Sequence, residues 1–291
     1  MISEGAAALL QTVPDVRRAR GYRLYTGGDR RLLDLYQEGG RALLGHRPGK
    51  LVHDTKNVLE RGVLSAFPSP EHARAERAVM RLVAPLVEAA GMTGARVELL
   101  PASLVRHTQL DLSLPDALWD ARAEELSRGV LPLWRPWLPD SMLRRAASAL
   151  RTAGAMAVRL PLPSLFAVEA VVAASDRQLD EPAPVPIAEP ALKAVSVVCG
   201  VLERSPVPLT PSLPGFAGCG PYLWMETAIG SQSPTDLLQA YAERFSSFLT
   251  HDILISPDPL VPSVMPNEYS EGELKVLRRA AAELSGARNG N

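Results

Sequence analysis

The sequence predicts a mixed α/β protein, because segments with helical spacing alternate with short apolar or aromatic runs. The clearest helices are predicted over residues 71–90 and 235–250, where apolar side chains recur every three or four positions. The clearest strand spans 166–174, an apolar run that only Glu169 interrupts, as is typical of a buried strand. At 291 residues the chain is long enough to bury a substantial core.

The other elements are predicted from the same signals. Strands at 22–25 and 31–36 flank a Gly-Gly-Asp turn and predict a β-hairpin. The remaining helices are expected at 50–62, 141–153, 189–204 and 270–284, and the remaining strands at 96–100 and 253–255. A capping box from Ser270 to Glu273 opens the last helix. Prolines and glycines predict an extended loop over 205–221, and residues 1–20 read as helical and then basic, with Pro14 interrupting.

Composition excludes several classes of protein. The net charge of −1 gives no support to nucleic acid as a partner. No apolar run approaches the roughly 18 residues that span a membrane, and the first residues lack the pattern of a signal peptide. Cys199 and Cys219 form no CxxC pair, which favours free thiols in a reducing compartment and predicts a cytoplasmic protein.

The short motifs with the strongest chemical meaning are missing from the sequence. It contains no GxGxxG, GxxxxGK[ST], HExxH or GxSxG. No two histidines have the spacing of metal ligands on a helix, so we expect no metal site.

Three segments are candidates for a binding site. Gly45-His46-Arg47-Pro48 closes a glycine-rich loop, where the histidine either meets a ligand or caps a neighbouring element. Trp134-Arg135-Pro136-Trp137 could stack a planar ligand or plug a core or subunit interface. Asp176 follows the predicted buried strand, either at a site or simply in solvent.

The N-terminal segments resemble the opening of class III aminotransferases, which are pyridoxal-phosphate (PLP) enzymes of fold type I. The segments that carry the resemblance are Arg20-Gly21-Tyr22-Arg23-Leu24-Tyr25, Gly28-Asp29, Leu33-Asp34-Leu35 and Gly45-His46-Arg47-Pro48. The family includes glutamate-1-semialdehyde aminomutase-like proteins, and its closing segment is similar to three segments near the other end of this chain: Phe245 to Leu249, Ile253-Leu254-Ile255-Ser256-Pro257 and the last predicted helix. The resemblance covers about residues 18–90 and 235–285.

The resemblance implies a PLP-transferase-like fold with a small α+β domain built from both chain ends. It places residues 1–70 and 235–291 in that domain and 71–234 in a reduced large α/β domain. It also implies a homodimer. The family's phosphate loop should follow residue 100, where only Ser103 could be its remnant, and Asp176 is the nearest candidate for the acid on the pyridine nitrogen.

A PLP enzyme also needs a lysine for the Schiff base. The sequence has four lysines, of which Lys193 alone lies in the expected part of the chain. Its surroundings predict an amphipathic helix instead of the family's lysine-bearing strand or loop. We therefore expect a catalytically degenerate relative that binds no cofactor and has a binding or scaffolding role.

Two alternatives stay open. One is an active PLP-dependent aminotransferase or aminomutase that uses Lys193, Asp176 and Ser103. The other is a protein that binds a small metabolite other than PLP through the Gly45–Pro48 loop and the Trp134–Trp137 segment.

Overall fold

The structure is a computed structural model that describes residues 4–62, 69–102, 107–112, 131–164, 166, 168–176, 187–207, 210–226 and 234–286. Contacts divide the chain into two compact units. Unit 1 comprises Met1–Arg47 and Pro208–Asn291, and unit 2 comprises Pro48–Val207. Both chain ends therefore contribute to the same unit.

The described part of unit 1 contains two small sheets, four α-helical segments and a short 3-10 turn at Gly27–Asp29. The helices are α1 (Glu4–Leu10), the single turn α2 (Gln37–Gly40), α7 (Pro234–Thr250) and α8 (Glu271–Gly286). The strands are β1 (Val16–Arg20), β2 (Arg23–Thr26), β3 (Arg31–Asp34), β9 (Phe216–Cys219), β10 (Tyr222–Met225), β11 (Ile253–Leu254) and β12 (Ser263–Val264). One sheet has the order β1-β2-β3-β11 and the other β12-β10-β9.

The core of unit 1 joins the two ends of the chain. β3 pairs in parallel with β11, with Leu33 opposite Ile253. Apolar side chains of the four-stranded sheet pack in one cluster with those of α7 and α8. The fully buried members include Leu32, Leu35, Phe245, Phe248, Ile255 and Leu277. Burial of side chains this large is the main stabilising term for such a unit.

Unit 2 is a five-stranded sheet with helices packed on it. Its helices are α3 (Gly49–Glu60), α4 (Pro70–Ala89), α5 (Asp140–Ala153) and α6 (Glu189–Leu202). Its strands are β4 (Arg96–Pro101), β5 (His107–Asp111), β6 (Leu131–Trp134), β7 (Ala155–Val158) and β8 (Val168–Ala173). The strand order is β4-β8-β7-β6-β5. Every residue of β6, β7 and β8 is buried, as is typical of strands covered on both faces.

Local sequence explains where the helices of unit 2 begin and end. α4 starts after Ser69, whose hydroxyl oxygen accepts the backbone N–H of Glu71 at 3.0 Å, and Pro70 takes the first helical position. α5 ends at Gly154, which has φ of 69°. α4 contacts α5 and α6, while α3 contacts α6.

That last contact explains where the unit boundary falls. The sequence placed residues 1–70 in the small domain and began its second part at 235. The contact-based units instead divide between residues 47 and 48 and between 207 and 208. α3 packs on α6 and therefore belongs to unit 2, whereas β9 and β10 pair with β12 in unit 1.

Two elements differ from the prediction. The helix expected in residues 1–20 is α1, but the basic stretch after Pro14 forms β1, which pairs antiparallel with β2. The predicted loop over 205–221 contains β9, which forms a hairpin with β10. Within the described residues, no helix is both long enough and apolar enough to cross a membrane.

Candidate functional site

Strands β4, β6 and β7 of unit 2 end at the same edge of the sheet. β6 is parallel to β7, while β4 and β7 are both antiparallel to β8, so β4, β6 and β7 run in one direction. We call this edge the carboxyl edge: it comprises Pro101 at the end of β4, Arg135 after β6, Arg159 after β7 and Glu169 near the start of β8. Open α/β sheets bind ligands beyond the carboxyl ends of their strands.

Two arginines lie side by side at the carboxyl edge. Arg135 and Arg159 each follow the last residue of a strand, and the two strands are neighbours with Trp134 opposite Val158. The backbone N–H of Arg159 donates to the carbonyl oxygen of Trp134 at 2.8 Å, which joins the two strand ends. Arg135 is only 3% exposed. The two arginines thus follow neighbouring strands at this edge.

Glu169 is the acid that accompanies these arginines. It is fully buried, and its Oε1 accepts a hydrogen bond from Nη1 of Arg159 at 2.6 Å. A buried carboxylate is tolerated only when it is paired and hydrogen-bonded, so this ion pair explains the acid inside the apolar run of β8. The charges at the carboxyl edge are therefore built into the sheet.

The tryptophans of the Trp134–Trp137 segment are packed inside the protein. Trp134 is 9% exposed and Trp137 is 8% exposed. Trp137 has φ of 61°, a conformation that is a true outlier for a bulky side chain. Its indole Nε1 is buried and has no hydrogen-bond partner among the described residues. A buried donor without an acceptor is costly, which makes Trp137 an unusual feature of this edge.

Asp176 lies at the opposite edge of the sheet. β8 runs antiparallel to β7, so the residues after β8 come close to the start of β4, where Nη1 of Arg96 donates to the carbonyl oxygen of Ser175 at 3.0 Å. Asp176 is exposed there. The other residue predicted to act with it, Ser103, lies outside the described residues.

All four lysines of the sequence lie on helices. Lys50 and Lys56 are on α3, Lys193 is on α6 and Lys275 is on α8. Lys193 is half-buried in the helical layer, and its charge helps to lower the pKa of Asp54 on α3, an effect that comes mainly from the hydrogen bond of Lys50. No lysine therefore lies on a strand or directly after one.

The Gly45–Pro48 loop is fastened to the end of β3 in unit 1. Nε2 of His46 lies 2.7 Å from Oδ2 of Asp34, the last residue of β3. Gly45 has φ of 80°, and a Cβ atom there would lie 3.1 Å from the carbonyl oxygen of Gly21, so only glycine fits. Arg47 is exposed and has φ of 60°.

The contact with Asp34 sets the protonation of His46. Burial alone would lower the pKa of His46, but the hydrogen bond and the negative charge of Asp34, together with the charge of Glu38, raise it above its ordinary value. The contact with the carboxylate therefore favours the charged form of the imidazole. The sequence left two roles open for His46, contact with a ligand or capping of a neighbouring element. The bond to Asp34 at the end of β3 is a contact of the second kind.

A left-handed turn follows β3. Gln37, Glu38, Gly39 and Gly40 have φ values of 46°, 51°, 66° and 90°. The backbone N–H of Gln37 donates to Oδ1 of Asp34 at 2.9 Å, and its side-chain amide donates to the carbonyl oxygen of Val264 at 3.0 Å. Left-handed residues other than glycine cost about 1–2 kcal/mol each, so these hydrogen bonds hold a strained turn.

Sequence reasoning did not identify three of these residues as parts of a site. No sequence motif pointed to Arg159 or Gln37. Glu169 had a usable signal, since a lone acid inside an apolar run must be paired when it is buried. No cluster of histidine, cysteine, aspartate or glutamate in the described part of the chain has the arrangement of a metal site.

Several aminotransferases of known structure superpose on this chain. An omega-transaminase from Sphaerobacter thermophilus superposes with a TM-score of 0.59 at 12% identity, over 96% of this chain and 94% of that chain. The ornithine delta-aminotransferase of Plasmodium falciparum gives 0.57 at 11% identity, over 94% of both chains. The N-acetylornithine aminotransferase of Stenotrophomonas maltophilia gives 0.53 at 16% identity, over 96% and 98%.

The chain has the class III aminotransferase fold. The fold predicted from the N-terminal resemblance is therefore confirmed. At sequence identities of 16% and below, the similarity shows only that the fold is shared. The activity has to be argued from the residues of the site.

Two curated proteins match short stretches of the sequence. An uncharacterized protein from Borreliella burgdorferi is 41% identical over 61 residues, which is 21% of this chain and 23% of that protein. An uncharacterized protein from Treponema pallidum is 34% identical over 73 residues, 25% of this chain and 24% of that protein. The chain thus spans about a quarter of the length of these relatives. No family profile matches it.

The residues of this aminotransferase fold do not fit PLP held as a Schiff base. No lysine lies on a strand or directly after one, because all four lie on helices. Arginine stands after both β6 and β7, and Asp176 lies at the other edge. An arginine does not form the imine that PLP chemistry requires, and its positive charge would repel a protonated pyridine nitrogen.

Proposed function

We propose that this chain is a catalytically inactive member of the aminotransferase fold with a binding or scaffolding role. One observation carries the proposal: every lysine lies on a helix, and the strand ends at the carboxyl edge carry Arg135 and Arg159. The N-terminal resemblance supports a homodimer as its assembly.

The alternative with Lys193 as the Schiff-base lysine has little support from its position. α6 packs against α3 and α4, so Lys193 belongs to the helical layer of unit 2. Asp176, its intended partner, follows β8 at the edge opposite to the carboxyl edge. Three residues meant to serve one cofactor would have to converge, whereas Lys193 lies on a helix and Asp176 at the edge opposite to the carboxyl edge.

Borohydride trapping tests the proposal directly. The purified protein is incubated with PLP, reduced with borohydride and digested, and the modified lysines are located by mass spectrometry. We expect only low, scattered modification, led by the exposed Lys50 and Lys56, because no lysine is held in a site.

Lys193→Ala is the control for that experiment. Its labelling and its absorbance spectrum with PLP should equal those of the wild type. Stoichiometric labelling confined to Lys193 and an absorbance band that Lys193→Ala removes would establish a PLP enzyme and overturn the proposal.

A further inference from the structure

Strands β1 and β2 of unit 1 turn one face towards the solvent, and arginines occupy that face. Arg18 and Arg20 of β1 are exposed, and Arg23 and Tyr25 of β2 are half-buried, whereas Leu24 between them lies in the core cluster. The register places Arg18 opposite Tyr25 and Arg20 opposite Arg23. Because side chains that lie directly opposite share a face, the three arginines and the tyrosine stand together.

The positive charge on this face is only partly compensated. Arg23 forms an ion pair with Glu273 at 2.7 Å, but neither Arg18 nor Arg20 forms one within the described part of the chain. The guanidinium carbon of Arg18 lies 5.6 Å from the centre of the Tyr25 ring, a cation–π contact that adds no negative charge. Two neighbouring cations on β1 therefore have no acidic partner among the described residues.

The position of β1 in the sheet provides a second and independent observation. β1 is an edge strand whose one neighbour among the described strands is β2, and four of its five residues are exposed. An edge strand presents main-chain N–H and C=O groups with which a further strand can pair. In such an added strand, every second side chain would lie on the same face as Arg18 and Arg20 and directly beside them.

Charge complementarity decides which chain fits beside β1. The β1 strand of a second copy would bring arginines next to arginines, and like charges in that arrangement are destabilising. A nucleic acid would supply negative charge but no main-chain groups for the free edge. An extended peptide with acidic side chains at alternate positions matches both the arginines and the edge.

We propose that β1 binds an extended acidic segment of a partner protein, which pairs with β1 as an added strand and places carboxylates beside Arg18 and Arg20. The inference deepens the proposed binding or scaffolding role and rests on it. It involves neither a lysine nor PLP, so trapping with borohydride and binding of an acidic peptide can each fail without the other.

Fluorescence anisotropy tests the proposal on the full chain at low ionic strength, where exposed charges are least screened. The probe is a short labelled peptide in which glutamate alternates with threonine, and the same peptide with glutamine in place of glutamate is the control for charge. Arg18→Gln/Arg20→Gln removes the two cations from β1. Arg278→Gln/Arg279→Gln is the matched control variant, because it removes two exposed arginines from α8 of the same unit.

We expect saturable binding of the glutamate peptide to the wild type. Arg18→Gln/Arg20→Gln and the glutamine peptide should each weaken it about fivefold, the loss of two exposed charge pairs, while Arg278→Gln/Arg279→Gln leaves it unchanged. Absence of saturable binding, wild-type affinity in Arg18→Gln/Arg20→Gln, or an equal loss in Arg278→Gln/Arg279→Gln would overturn the proposal. Tighter binding of single-stranded oligothymidylate than of the glutamate peptide would assign the face to nucleic acid instead.

Amide hydrogen exchange on the wild type tests the pairing itself and does not depend on how the variants fold. At saturation, the glutamate peptide should slow the exchange of main-chain N–H groups in β1, because the free edge then donates to the added strand. Binding that leaves exchange in β1 unchanged would show a contact through charge alone, and the added strand would be wrong.

Discussion

Asp34 organises the segment that follows β3 through three contacts. Its Oδ2 holds His46, its Oδ1 accepts the N–H of Gln37, and its own N–H donates to the carbonyl oxygen of Tyr22 at 2.9 Å. The side chain of Asp34 is only 2% exposed, so these contacts compensate for burying its charge. Tyr22 completes the group: its hydroxyl donates to the carbonyl oxygen of Leu43 at 3.0 Å, and burial raises the pKa of Tyr22 to about 12.

Asp34→Asn should destabilise the protein more at low pH than at high pH. The folded state raises the pKa of His46 above the ordinary 6.5, so the charged pair stabilises fully below pH 6.5 and loses its effect as pH rises through the folded-state pKa. We expect a cost of about 2 kcal/mol in the free energy of unfolding at pH 5.5 and a smaller cost at pH 9, measured by urea denaturation.

Asp54→Asn is the matched control for Asp34→Asn. Asp54 pairs with Lys50 on the surface of α3, and this ion pair contains no histidine. The free energy of unfolding of Asp54→Asn should therefore differ from the wild type by a small amount that is the same at both pH values. A pH-independent cost for Asp34→Asn would show that His46 is not its charged partner.

At the residue scale, the sequence pointed to single candidate residues but not to the residues that they contact. His46 was identified from its glycine-rich loop, but no local pattern specifies a bond to Asp34, which forms only when the chain folds back on β3. The two arginines at the carboxyl edge were harder still. Arg135 was noted for its tryptophans, whereas its proximity to Arg159 depends on the pairing of β6 with β7, which sequence spacing does not encode.

The start of α8 links this helix to the N-terminal sheet. Ser270 and Glu273 form the predicted capping box: the N–H of Ser270 donates to Glu273 at 2.7 Å, and the N–H of Glu273 donates to the Ser270 hydroxyl oxygen at 3.2 Å. Glu273 also accepts two hydrogen bonds from Arg23 of β2, at 2.9 and 2.7 Å. One carboxylate thus caps a helix and joins residues from the two ends of the chain.

Glu273→Gln should cost about 1–2 kcal/mol of unfolding free energy at pH 7, because it weakens the bidentate ion pair and the cap together. Burial raises the pKa of Glu273, but hydrogen bonds from Arg23 and Ser270 outweigh it and lower the pKa to about 2. Because the pKa of Glu273 is lowered in the folded state, its ionised carboxylate stabilises the fold fully above pH 4.5. This stabilisation is lost as the pH falls towards 2.

The free-energy difference between wild type and Glu273→Gln should therefore shrink between pH 4.5 and pH 2. Glu271→Gln serves as the control, because Glu271 is an exposed acid in the same first turn of α8. It should show neither the cost nor the pH dependence. A difference that stays constant down to pH 2 would contradict the assignment of the pair.

At the element scale, long elements were predictable and short ones were not. The helices α3 to α8 lie within a few residues of the predicted ranges, because an apolar stripe of 12 or more residues leaves a clear period. β6 and β7 have four residues each and are buried on both faces, so they show no alternation. The β9–β10 hairpin was missed because its glycines and prolines resemble those of a loop.

The molecule is assembled so that unit 1 depends on both ends of the chain. β11 pairs with β3, the N–H of Val264 donates to the carbonyl oxygen of Leu35, and Phe245 and Phe248 of α7 pack in one cluster with Leu32. Unit 2, by contrast, is one continuous stretch of chain with its own sheet and helices. A continuous stretch with its own core can fold by itself, whereas half of a divided core cannot.

Expressing the pieces separately tests this assembly. Residues 48–207 should unfold cooperatively by themselves, followed by circular dichroism during heating. Residues 1–47 alone should show no cooperative transition, because Leu32 and Leu33 lack their partners on α7 and β11. Mixing 1–47 with 208–291 should restore slow amide hydrogen exchange at β3, since the parallel pairing and the shared cluster then form. Protection of β3 in the isolated N-terminal piece, or none in the mixture, would contradict a core shared by the two chain ends.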